Sequence, residues 1–127
     1  MLYRRDESFR FTFGNPIEAT FKILKVNQIS GGSKEGRALL MDLSPNGLRI
    51  SSPLDLPINE KNLLLEISFV LNKQIISIIA EPKWKKRTSA QSFSYRLVGL
   101  DDEETMKIIV SELKAFSKKN HYNDDHS

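Results

Sequence analysis

The stretch Ala38-Leu39-Leu40-Met41-Asp42-Leu43-Ser44-Pro45-Asn46-Gly47-Leu48-Arg49-Ile50 decides how the chain folds. Two short apolar runs flank a segment that has the chemistry of a β-turn. Proline suits the second turn position, Asn-Gly supplies a position with φ > 0, and strand-forming residues stand on both sides. A hairpin built on residues 37–41 and 48–51, turning through residues 42–47, is therefore the expected nucleus of a β structure.

Working outward, the chain alternates in the same style. Ile17, Ala19, Phe21 and Ile23 alternate with Glu18, Thr20 and Lys22, the period of a half-buried strand. The alternation slips at Leu24-Lys25-Val26, which marks a bulge or strong coiling. Downstream, Leu63, Leu65, Ile67, Phe69 and Leu71 share one face, and Asn72-Lys73 turns into a run rich in isoleucine at residues 74–80. A last strand carries Phe93, Tyr95 and Leu97. Beyond it, Met106, Ile109, Val110, Leu113 and Phe116 follow helical spacing, with Asp101 as N-cap and Glu104 three residues later. The pattern predicts a mainly β fold: a small six-stranded antiparallel β-barrel with a C-terminal amphipathic α-helix. Three regions are expected: a flexible arginine arm at 1–13, the barrel and helix at 14–119, and a disordered tail at 120–127. Gly14-Asn15-Pro16 reads as the breaker between arm and barrel.

Composition narrows the function. With 127 residues the chain is long enough for one core and too short for two. It has no cysteine, which excludes disulfides, thiol catalysis and thiolate metal sites. The basic, polar start has no signal-peptide character and no run reaches membrane-spanning length, so the expectation is a cytoplasmic protein without membrane insertion. A net charge of +3 does not by itself imply nucleic-acid binding. Both histidines, His121 and His126, fall in the terminal polar segment, Ser44 has no base nearby in sequence, and Ser30 to Gly36 lacks phosphate-loop spacing. The expectation is a non-enzymatic binding module with no metal and no cofactor.

The candidate ligand-binding residues are Arg4, Arg5 and Arg10 in the arm and Asp42, Ser44 and Gly47 in the turn. A guanidinium is a planar fork of donors that matches phosphate oxygens and the O6/N7 edge of guanine. A carboxylate complements the N1–H and N2–H donors of guanine, Ser44 can donate or accept, and Gly47 lets a ligand approach the backbone. The plainer reading is a solvated basic terminus and an ordinary hairpin turn. Trp84 among Lys83, Lys85, Lys86 and Arg87 invites comparison with single-stranded RNA-binding barrels. The competing reading turns Trp84 into the barrel interior.

Together these features resemble the PilZ domain, a bacterial receptor module for cyclic di-GMP. That family carries an RxxxR pair on an N-terminal loop, then [DN]xSxxG on the barrel, then a late helix. Asp42-x-Ser44-x-x-Gly47 matches the second element at every fixed position, and the stretch from Tyr95 to Leu100 resembles the closing strand. The arginine pair departs from the pattern: four residues separate Arg5 from Arg10, and five separate Arg4 from Arg10. The resemblance implies cyclic di-GMP as ligand, an arm that orders on binding, and an effector protein of motility or matrix synthesis as partner. It leaves a nucleotide-free adaptor as the alternative.

Overall fold

The computed structural model describes residues 10–26, 29–30, 35–44, 47–58, 63–99 and 103–125. Among them are the strands β1 (Phe11–Val26), β2 (Ile29–Ser30), β3 (Glu35–Ser44), β4 (Gly47–Ser52), β5 (Leu64–Val70), β6 (Ile75–Ser89) and β7 (Ser92–Gly99), followed by helix α1 (Glu103–Asp125). All pairings are antiparallel, in the order β1-β3-β4-β7-β6-β5, and β5 returns to pair with β1. The expected six-stranded mainly β architecture is thus present as a closed ring, with the two-residue β2 added beside the end of β1. Closure removes the unpaired edges that would otherwise template aggregation.

Strand β1 closes the ring because it is long enough to hold β3 along one edge and β5 along the other. Two irregularities let it coil that far. Its register with β5 slips between Ile23 and Lys25, so of the two readings of the Leu24 irregularity, a bulge or strong coiling, the bulge is present. Its register with β3 slips between Thr12 and Ile17, across Gly14-Asn15-Pro16. Those residues were expected to end an arm, but they form a bulge within β1. A proline, lacking an N–H, fits where the ladder is already interrupted.

The strand therefore begins at Phe11, not after Phe13. Phe13 is buried, and its ring lies 4.9 Å from Phe11 and 5.3 Å from Phe116 on α1. Burying aromatic surface against the helix holds residues 11–13 in the sheet and moves the boundary of the arm back to Arg10. The other expected boundary also shifts, because α1 continues through residues 120–125 where a disordered tail was expected. That segment contains neither glycine nor proline, so no residue stops the helix at Asn120. The N-cap expected at Asp101 lies outside the described residues.

The core fills the ring from inside. Leu40, Ile50, Leu65, Ile67, Tyr95 and Leu97 are fully buried, and Ile109 and Leu113, four apart on one face of α1, pack against the same core. Each aliphatic side chain buried this way contributes about 1.5–3 kcal/mol. The alternation predicted for β5 holds through Leu63, Leu65, Ile67, Phe69 and Leu71, all buried.

Tyr95 also ties down a loop. Its hydroxyl donates to the Leu54 carbonyl at 2.5 Å and accepts from the Leu56 N–H at 2.7 Å. Lys85 secures the same loop through Asp55 and the Leu56 carbonyl. Tyr95→Phe leaves the buried Leu56 N–H without an acceptor and is expected to cost about 1–3 kcal/mol in urea denaturation. Burial raises the Tyr95 pKa, opposed by the hydrogen bond from Leu56 and by Lys85. The folded state therefore holds this proton more tightly than the unfolded chain. The associated stability is present below the unfolded tyrosine pKa and is lost as pH rises through the raised folded value. Tyr95→Phe should remove that component of the alkaline stability loss.

Candidate ligand-binding face

The β3/β4 hairpin pairs Ser44 with Gly47, Leu43 with Leu48 and Asp42 with Arg49. Asp42, Leu43 and Ser44, expected in a turn, thus belong to the strand, and the described strands are separated by Pro45-Asn46 alone. The register slips between Leu40 and Asp42, leaving Met41 as a single extra residue. Simple alternation after the inward-facing Leu40 would send Asp42 into the core. The bulge reverses that and turns it to the outer face.

A second bulge does the same for Trp84. Pro82 pairs with Leu97 inside, the register slips, and Trp84 pairs with Arg96 outside, with Lys83 as the extra residue. Trp84 is 43% exposed, so the reading that turned it into the barrel interior is corrected. The basic run around it divides. Lys85 and Arg87 pair with Tyr95 and Phe93 and lie over the Phe93 ring, whereas Lys86 pairs with Ser94 on the outer face.

The two bulges build one lateral row across five strands. Thr12 pairs with Asp42, Asp42 with Arg49, Arg49 with Arg96, and Arg96 with Trp84. Directly paired residues in antiparallel strands point to the same side, so a carboxylate, two guanidiniums and an indole point outward from the ring in succession, each beside the next. Arg10 is exposed and immediately precedes β1, whose first pair is Phe11 with Leu43, so it stands at the end of the ladder that holds Asp42. Arg4 and Arg5 lie outside the described residues.

Within the row, Arg49 Nε donates to Asp42 Oδ2 at 2.8 Å. Asp42 is 4% exposed, and this charge-assisted bond is what allows a carboxylate to be buried there. Arg49 escaped the sequence reading, though a two-residue turn at Pro45-Asn46 would have set it opposite Asp42. Ser44 Oγ donates to the Gly47 carbonyl at 3.3 Å and closes the hairpin. Gly47 is spoken for by the fold, because a Cβ there would lie 2.5 Å from the Leu97 carbonyl oxygen. Beside the row, Ser94 is buried and its Oγ has no partner among the described residues. Such a hydroxyl costs about 1–3 kcal/mol.

No protein-family model matches the sequence, and no curated protein is similar to it. Among solved structures, the chain is similar to the crystal structure of the PilZ domain of CeSA from a cellulose-synthesizing bacterium. The match has a TM-score of 0.54 and 16% identity, and covers 89% of this chain and 99% of that one. The fold is PilZ-like. The hairpin carrying Asp42, Ser44 and Gly47 is thus part of a PilZ-like sheet with its late helix. Among the described residues, no helix is long and apolar enough to cross a membrane.

Proposed function

We propose that the chain is a non-catalytic, cytoplasmic receptor for cyclic di-GMP. The ligand would bind on the outer face of β3, β4 and β7, order the arginine arm, and signal to an effector protein. The observation that carries this reading is the outward row of Asp42, Arg49 and Arg96 on the adjacent strands β3, β4 and β7, with Trp84 next along on β6 and exposed Arg10 just before β1. Guanidiniums suit the phosphates and guanine edges, and the exposed indole offers a stacking surface worth about 1–3 kcal/mol per base. The PilZ-like fold and the complete Asp42-x-Ser44-x-x-Gly47 pattern support the same reading. Ordering the arm costs free energy that charge-assisted contacts must exceed, and the signal travels as a population shift.

Trp84 is the only tryptophan, so its fluorescence reports on this face. Titration with cyclic di-GMP is expected to change Trp84 emission with micromolar or tighter affinity, whereas cyclic GMP and GTP leave it unchanged. Calorimetry on the same samples supplies the stoichiometry. Absence of heat and of any spectral change would overturn the receptor reading in favour of a nucleotide-free adaptor. One observation favours that second reading: Arg49 already satisfies Asp42 without a ligand.

A further inference from the structure

One hydroxyl on the outer face is left without a bond by the fold. On β7, Tyr95 and Leu97 point into the core, so alternation turns Ser94 outward with Arg96. Ser94 pairs with Ser51 on β4 and with Lys86 on β6. It therefore lies two residues, about 7 Å, along the ladders from the row of Arg49, Arg96 and Trp84. Although it faces outward, Ser94 is only 5% exposed, and its Oγ has no partner among the described residues. Ser51, directly opposite, hydrogen-bonds with Ser92 at 3.2 Å instead. A hydroxyl hidden in this way is a donor held at a fixed place, at a cost that a bound acceptor would remove.

The charges beside it are unspent too. Among the described residues, Arg49 pairs with Asp42, Lys83 with Glu81 and Lys85 with Asp55, whereas neither Arg96 nor Lys86 makes an ion pair. Asp42 and Glu81, the carboxylates nearest in the ladders, are thus matched by other cations. A guanidinium and an ammonium, which only donate, flank the buried hydroxyl on the adjacent strands β7 and β6.

We propose that Ser94, Lys86 and Arg96 form a phosphate subsite within the ligand-binding face, an inference that rests on the receptor reading above. The group bound there is one of the two phosphodiesters of the cyclic dinucleotide. Phosphate oxygens accept from several directions at once, so a planar fork, a point charge and a hydroxyl are all satisfied by the same group. Trp84, paired with Arg96 and two residues before Lys86, stands where the neighbouring base can stack. Asp42 and Arg49, further along the row, remain for the guanine edge.

Calorimetry with cyclic di-GMP, urea denaturation and phosphorus NMR of the complex test this together. Ser94→Ala removes a hydroxyl that the free protein leaves unbonded, so the urea midpoint should hold or rise while affinity falls about tenfold. Lys86→Gln should weaken binding by a similar factor. Lys83→Gln removes the same charge from the adjacent bulge, where Glu81 already holds it, and should leave affinity within about twofold. The two phosphodiesters are equivalent in the free ligand, and Ser94→Ala should move one bound phosphorus resonance without the other. A wild type that does not bind overturns the receptor reading and the subsite with it. A wild type that binds, with Ser94→Ala and Lys86→Gln binding equally well or neither resonance moving, overturns the subsite alone. A parallel fall of urea midpoint and affinity in Ser94→Ala also overturns it, because Ser94 would then serve packing.

Discussion

Gly47→Ala is expected to lower stability by about 3 kcal/mol, near the top of the range for forcing atoms into a packed site. A Cβ at this position would sit 2.5 Å from the Leu97 carbonyl oxygen, a backbone atom that cannot rotate away. Relief requires β4 to move off β7 where Gly47 pairs with Val98 and Leu48 with Leu97. In urea denaturation the midpoint should fall with little change in slope. Two other glycines calibrate the result. Gly14→Ala meets nothing within 4 Å and should shift stability by less than about 0.5 kcal/mol. Gly36→Ala meets the Phe21 ring and a Leu54 methyl, side chains that can give, and should fall between the two. If Gly47→Ala behaves like Gly14→Ala, the glycine of the motif serves the ligand and not the sheet.

This prediction separates what could be read in the sequence from what could not. Alternation identified the buried face of β5, helical spacing identified Ile109 and Leu113, and the slip at Leu24 located an irregularity in β1, because each is a local pattern. The ring itself follows from the number and spacing of such strands. The functional face was harder. Asp42 was legible as a motif residue, but its partner Arg49 depends on the hairpin register, which a six-residue turn and a two-residue turn set differently. Trp84 was misdirected for a similar reason. One extra residue at Lys83 inverts every side chain after it, and Pro82 beside it is the one local sign of an interrupted ladder. The arm boundary was misplaced because Gly14-Asn15-Pro16 has the composition of a breaker, whereas packing of Phe11 and Phe13 on Phe116 keeps it within a strand. At the arm, long-range contacts overrode local punctuation.

Arg49→Ala is expected to weaken cyclic di-GMP binding at least tenfold, about 1.4 kcal/mol, and Arg10→Ala by a similar factor. The informative experiment is the cycle that combines Asp42→Ala with Arg49→Ala. Asp42 can act in two ways: by accepting from guanine directly, or by holding Arg49 through Nε so that the rest of its guanidinium faces the ligand. The 2.8 Å bond and the burial of Asp42 favour the second. If Asp42 only orients Arg49, its removal costs affinity while Arg49 is present and almost nothing once Arg49 is gone. The double variant then binds like Arg49→Ala alone, a coupling of about 1 kcal/mol or more. If Asp42 reads guanine itself, the two losses add. Folding must be followed in parallel, since Arg49→Ala strands a buried carboxylate and lowers stability as well, whereas the double variant removes both charges and recovers part of that loss. Additive binding losses would return Asp42 to the role its motif first suggested. Non-additive ones would make Arg49, seven residues further on, the group that meets the ligand.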